Sequence, residues 1–208
     1  MRQTFTGTKE LIFDKAIEII ASVGFENMSI RALANAVGIK AASVYSHFES
    51  KQEILNTIYE YYCHHMFDNR SPMEKSRKIM QSGDKDEIFN ALVFDFVTTD
   101  QKKYTRMLLT TKIIFMRIFN DEQANRIFLD LSCTESSQYV KDLLDYGVSI
   151  GIIEPFDTDT YANFITGQIF FMGIKAFAQQ DYTPRQIEEE ESIKSMLKGF
   201  LPVAEQKE

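Results

Sequence analysis

Between Ser29 and Phe48 the chain has room for two helices of barely two turns each, separated by Gly38, and helices that short do not stand alone in water. Ser29 is a preferred N-cap, and Arg31-Ala32-Leu33-Ala34-Asn35-Ala36-Val37 runs from it to the glycine, a stop residue suited to a left-handed backbone. A second short helix is expected from about Lys40 to Phe48. Both need bracing, and the flanking sequence supplies it. Upstream, Ile12, Ala16, Ile19, Ile20 and Val23 recur at the spacing of an amphipathic helix, with Thr8 as its cap and Gly24 as its stop. Downstream, Ser50-Lys51-Gln52-Glu53 reads as a capping box, and Ile54, Leu55, Ile58 and Tyr62 carry a fourth helix onward. Two short helices across a glycine turn, held from both sides, form the helix-turn-helix pattern.

The second short helix has a face with chemical meaning. At about 100° per residue, Val44 and Phe48 point toward Leu33, Val37 and Ile17, while Ala42 and Ser46 point outward between Ser43 and Tyr45. A helix that enters a major groove needs an apolar inner stripe and small or polar outer side chains, so that its backbone approaches the base edges. Small outward residues also occur on ordinary bundle helices, and this pattern alone leaves both readings open.

Beyond Pro72 the composition shifts to longer, strongly apolar helices, expected over Lys85 to Thr98, Lys102 to Phe119, Asp121 to Ser149, Thr158 to Ala178 and Pro184 to Leu201. No segment alternates with period two, and with nine glycines and four prolines in the whole chain, sheets are not expected. The fold class is therefore all-α, an N-terminal three-helix domain over residues 1–52 followed by a helical bundle over residues 53–208. The Thr158–Ala178 helix is apolar nearly all round and must be covered on several sides. Asn163, Thr166, Gln168 and Lys175 interrupt it well short of a membrane span. One face on the core and another on a second subunit would satisfy it, which points to a homodimer.

Composition limits the function classes. Cys63 and Cys133 stand far apart in no metal-binding spacing, so both are read as reduced structural thiols, and neither a metal nor a cofactor is expected. The N-terminus shows no apolar run behind Arg2, so a secretory signal is not expected and the cytoplasm is. The formal net charge of -7 argues against a nucleic-acid partner on global electrostatics. Any DNA-binding surface must then be a local patch on a repelling body, with salt-sensitive binding. Cys63-His64-His65 with Asp68 is the one cluster with nucleophile or ligand chemistry, but adjacent helical residues diverge, and an enzyme is not expected.

The run from Ser29 to Ile39, followed by Ser43-Val44-Tyr45-Ser46-His47-Phe48 and Ser50-Lys51-Gln52-Glu53-Ile54-Leu55, resembles the signature of tetracycline-repressor (TetR) family regulators over about Thr8 to Tyr59. The joint spacing of the turn glycine, Tyr45, Phe48 and Lys51 makes the resemblance specific. It implies a transcriptional repressor that binds double-stranded operator DNA as a dimer and is released by a ligand held in the C-terminal bundle. It further implies Tyr45 and Lys51 on phosphates, and Ser29 presenting a helix N-terminus to another. Lys40, Ala41, Ala42, Ser43, Ser46 and His47 would face the major groove, with Arg31 reaching a base or phosphate. Ala41 and Ala42 carry only methyl groups, so thymine-methyl contact is expected there.

For a small hydrophobic or aromatic ligand, the apolar helices nominate Phe94, Met107, Phe115, Phe119, Phe164, Gln168 and Phe171, though such a stripe is more often plain core. Control by a protein partner instead of a small molecule is the alternative within the same fold.

Overall fold

The computed structural model describes residues 7–68, 73–93, 101–179, 195, 199 and 201–202. Its helices are α1 (Thr8–Val23), α2 (Ile30–Val37), α3 (Ala41–Tyr45), α4 (Lys51–Asp68), α5 (Met73–Gln81), α6 (Lys85–Val93), α7 (Gln101–Arg117), α8 (Glu122–Ile127), α9 (Ser136–Ser149) and α10 (Thr158–Gln179), with a π-helical stretch, Phe128–Glu135, between α8 and α9. No β-strand occurs among the described residues, and the all-α expectation holds. Two units divide the chain, Met1–Phe67 with Thr105–Phe128, and Asp68–Tyr104 with Leu129–Glu208.

In the first unit α1 buries Ile12, Phe13, Ala16, Ile17, Ile20 and Ala21. The expected stripe is thus rotated. Phe13, Ile17 and Ala21 replace Ile19 and Val23, the latter 48% exposed in the last turn, because the Phe13 side of the helix is covered by Tyr61, whose ring centre lies 5.4 Å away, and by the Arg106 guanidinium at 5.7 Å. The cap also moves back by one residue. Gly7, at φ 65°, accepts the Leu11 N–H, and Thr8 is already helical. Gly24 ends α1 with positive φ but an extended ψ of 157°, so it is a glycine stop of a different kind from the left-handed one expected.

Ser29 caps α2 as expected, its Oγ accepting the Ala32 N–H at 3.1 Å. At the other end Gly38 adopts φ 78°, ψ 30°, and the Gly38 and Ile39 N–H groups donate to the Asn35 and Ala34 carbonyls at 3.2 and 3.0 Å. Those two bonds make a Schellman turn, the geometry that reverses the chain into α3. Helix α3 is only five residues long, shorter than the expected Lys40 to Phe48. The Val44 carbonyl accepts both the His47 and Phe48 N–H groups, which tightens the chain out of the helix while leaving Phe48 1% exposed. Ser50 Oγ then accepts the Glu53 N–H at 3.0 Å. The returning Glu53 carboxylate accepts the N–H of Glu49, one residue earlier than a standard box would use.

The second unit encloses Met80, Ile88, Phe89, Leu92, Val140, Leu143, Leu144, Tyr161 and Ile165 in its core. Helix α5 was not expected, because its nine residues are polar apart from Met73, Ile79 and Met80. Its buried face uses Ser76, whose hydroxyl is satisfied by the Tyr139 hydroxyl at 2.9 Å. The single helix expected from Asp121 to Ser149 is interrupted by the π-helical stretch. There Thr134 Oγ1 and Ser136 Oγ donate to the carbonyls of Leu129 and Leu131, five residues back, as a widened turn allows. Cys133 lies exposed on this stretch, so the structural reading fails for it, while Cys63 is half-buried. The expected segment Phe94 to Thr98 and most of the expected Pro184 to Leu201 helix lie outside the described residues. Leu201 is nevertheless buried, and the Pro202 carbonyl accepts the Glu154 N–H at 2.8 Å.

A side chain at Gly38 would meet no atom within 4 Å, so only backbone conformation opposes substitution there. Gly38→Ala is expected to lower unfolding free energy by about 1 kcal/mol, and Gly38→Asn by less, in urea titrations followed by circular dichroism. Equal stability of all three proteins would contradict the left-handed turn.

Candidate nucleic-acid interface

Because Val44 and Phe48 are buried, the opposite side of α3 is fixed outward. Ala42, Tyr45 and Ser46 are exposed, Tyr45 at 54%, while Ala41, Ser43 and His47 are half-buried at the flanks. Lys40, the N-cap residue of α3, is exposed, as are Ser29 and Arg31 at the start of α2. The sequence-nominated residues of α2 and α3 thus all lie within one short motif, each exposed or partly exposed to solvent. Ser46 Oγ donates weakly to the Ala42 carbonyl at 3.4 Å, a bond that a better acceptor would displace.

Lys51 behaves differently from a solvated cap residue. Its Nζ donates to the Glu26 carbonyl at 3.1 Å and stands 4.4 Å from the centre of the Phe25 ring. An ammonium has three donors, so this contact orients the group and still leaves capacity for a phosphate.

The same ring receives a second cation. The Arg117 guanidinium lies 4.8 Å from the Phe25 centroid, and its Nη1 is 3.4 Å from the Glu26 carboxylate. Arg117 also donates through Nη2 to Asp121 at 2.8 Å and through Nε to Asp121 and the Tyr59 hydroxyl at 3.1 and 2.9 Å. Tyr59 in turn donates to Asp121 at 2.9 Å, and the other Asp121 oxygen accepts the Gln123 and Ala124 N–H groups, capping α8. Burial alone would raise the Asp121 carboxyl, but the Ala124 N–H, Arg117 and Tyr59 together hold it below the usual carboxylate range. The Tyr59 phenol is pushed well above its ordinary value, first by burial and then by the bond to Asp121. One helical step of this network, Arg117 to Asp121, is visible as an i,i+4 pair. Its links to Tyr59 and Glu26 span 58 and 91 positions and leave no local trace.

Arg106, about three turns earlier on α7, pairs with Glu10 at 3.1 Å and with Asp14, both on α1. Sequence reasoning missed this as well.

Of the ligand nominees, Phe94 lies outside the described residues. Met107 and Phe115 are half-buried on α7, with the Phe115 ring 6.5 Å from Phe128, and Phe119 is 82% exposed just after the helix. On α10 Gln168 is half-buried, and Phe164 and Phe171 are 40% and 60% exposed. None of them lines the pocket of about 240 Å3 found in the first unit, which is walled by Ile20, Phe25, Glu26, Ile113, Met116 and Arg117 among others. No group of side chains with metal-holding geometry occurs among the described residues. His64 is exposed while the His65 ring packs 4.1 Å from Tyr61, so these neighbours diverge.

Residues 12–58 match the profile of bacterial regulatory proteins of the tetR family. The chain is 29% identical over 99 residues to the biofilm operon icaADBC HTH-type negative transcriptional regulator IcaR of Staphylococcus aureus, a match covering 48% of this chain and 50% of that protein. The chain therefore spans about half the length of the curated relatives it matches. Among solved structures, the ketosteroid transcriptional regulator KstR2 of Mycobacterium tuberculosis is similar with a TM-score of 0.66 at 16% identity, over 97% of this chain and 98% of that one. A TetR transcription regulator from Haloarcula marismortui is similar with a TM-score of 0.61 at 15% identity, over 95% and 99%. These structures share the fold.

Asp121→Asn keeps an oxygen to cap α8 but removes the charge. Since the folded carboxyl is held low, its contribution is present above the unfolded value of about 3.9 and is lost as pH falls through the lower folded value. At pH 7 the wild type should exceed the variant by about 1–3 kcal/mol in urea unfolding, and the gap should close toward pH 2. A gap independent of pH would contradict the charged role.

Proposed function

We propose that this chain, whose helix-turn-helix segment belongs to the tetR family of bacterial regulatory proteins, is a sequence-specific transcriptional repressor that binds operator DNA as a homodimer and is released by a small hydrophobic ligand. The observation that carries the reading is the outward face of α3, with Ala42 and Ser46 exposed directly opposite the buried Val44 and Phe48. Two methyl-bearing positions, Ala41 and Ala42, meet the thymine methyl of a major groove, while Lys40, Ser46 and Arg31 supply polar contacts. Tyr45 and Lys51 flank them as phosphate contacts, and Ser29 offers the start of α2 to another phosphate. Repression draws support from the IcaR relative, described as a negative transcriptional regulator. A DNA target puts the activity in the cytoplasm.

A helix of five residues touches few base pairs, so affinity requires a second copy. Dimers of helix-turn-helix proteins place their recognition helices about 34–36 Å apart, in successive major grooves. Helix α10 offers a surface for pairing. Phe164, Gly167 and Phe171 are exposed on it at i, i+3 and i+7, leaving apolar side chains that a partner copy covers. Release by ligand then needs only a dimer spacing that no longer matches the grooves, with the shift limited by the ligand's differential affinity for the two states. A thermal-shift screen of hydrophobic small molecules tests that part, because an inducer raises the melting temperature of the free protein and lowers its affinity for DNA.

Lys51→Ala is expected to weaken binding evenly across duplex sequences and to lower the dependence of log K on log salt by about two per dimer. A loss confined to particular sequences would contradict the phosphate role. Replacing contacted thymines with uracil deletes only the methyl and should weaken binding at the positions facing Ala41 or Ala42. Unchanged affinity at every operator thymine would exclude methyl readout.

A further inference from the structure

We infer that Arg117 is a positioning residue for DNA binding, acting from the end of α7 through Phe25 and Glu26 on the Lys51 ammonium. This rests on the reading of Lys51 as a phosphate contact. The loop after α1 is where the two cations meet. Phe25, 9% exposed, presents its ring to Arg117 at 4.8 Å and to Lys51 at 4.4 Å. Glu26 repeats the arrangement with different atoms, its carbonyl accepting from Lys51 at 3.1 Å and its carboxylate facing Arg117 at 3.4 Å. Two consecutive residues therefore each touch both cations.

The contributions are unequal. The Glu26 side chain is 82% exposed, so solvent screens its pairing with Arg117, and the ring contact is the stronger hold. Arg117 by contrast is firmly fixed. Its Nη2 and Nε also donate to Asp121, and Nε to Tyr59; Asp121 is locked as the α8 cap, and Tyr59 is 1% exposed on α4. Lys51 and Tyr59 lie about two turns apart on that same helix, so α4 is tied to Arg117 directly through Tyr59 and indirectly through Phe25.

The loop has a second consequence. Phe25 and Glu26 lead within three residues to Ser29, the α2 cap, so the helix start and the ammonium that the reading assigns to phosphates share one anchor. A lysine in place of Arg117 would lose the planar fork that satisfies Asp121 and Tyr59 while covering the ring. Any rearrangement at the junction of α7 and α8 reaches the phosphate contacts through this guanidinium.

The test is a double-mutant cycle on the full chain. Its probe is the duplex that the wild-type protein enriches from a random-sequence library, with affinity and salt slope measured for each variant. Arg117→Gln is expected to weaken binding about tenfold and to lower the salt slope toward that of Lys51→Ala. Adding it to Lys51→Ala should cost less than about threefold more, because the pathway it serves is already lost. Arg117→Lys should fall between. Phe25→Leu keeps apolar bulk but removes the ring and should reproduce the Arg117→Gln pattern, which keeps the test valid if Arg117→Gln unfolds. Wild-type binding by Arg117→Gln or Phe25→Leu, or losses that multiply with Lys51→Ala, would overturn the inference while leaving the Lys51 role intact. Wild-type affinity and slope for Lys51→Ala alone would overturn both.

Discussion

A helix of five residues cannot hold its own conformation in water, and the direction α3 presents outward depends on what it buries. Val44 and Phe48, 0% and 1% exposed, supply that hold, each contributing about 1.5–3 kcal/mol by leaving water. Their burial rests on the packing of α3 against α2, and it needs the Gly38 turn to bring α3 back across that helix. The exposed face of small side chains is the consequence. Replacing the inner stripe would not merely loosen a core; it would leave the outer residues with no fixed orientation toward a groove.

Charge has been arranged around that constraint. The chain carries -7 overall, which repels DNA at long range, yet Glu10, Asp14 and Asp121 are engaged internally by Arg106 and Arg117. Those pairs tie α7 to α1 and to the start of α8, at points about three turns apart on α7, and the Arg117 contact with the Phe25 ring reaches the loop before α2. Partly buried ion pairs add modestly to stability, but they fix geometry when each partner has other bonds to satisfy. Arg117 meets that condition most fully, with a capping aspartate, a buried tyrosine and an aromatic ring all around one guanidinium.

Much of the first unit was legible in the chain because its signals are local. A serine cap, a turn glycine and a capping box each act over three or four residues, and all stand close to where spacing put them. The buried arc of α1 is wider than its local spacing shows, since Phe13 is covered by Tyr61 and Arg106 from distant parts of the sequence. Helix α5 was invisible for the opposite reason, a polar segment whose buried Ser76 is paid for by Tyr139 far along the chain. The π-helical stretch depends on hydroxyls reaching five residues back, a spacing that amphipathic patterns do not register. For the candidate interface, residue types on α2 and α3 were readable, whereas the hold on Lys51 comes from Phe25 and Glu26, themselves tied to Arg117 across 91 positions.

The central claim is that the outward side chains of α3 read bases, and a change of specificity tests it more directly than a loss of binding. Ala42→Asn places an amide that can pair with adenine where the proposed reading has a methyl facing thymine, without touching the buried stripe. Selection from a random-sequence duplex library should give the wild type a palindromic motif, and the variant a motif changed at one symmetric pair of positions. Identical motifs from the two proteins, or no enriched motif from the wild type, would contradict the account.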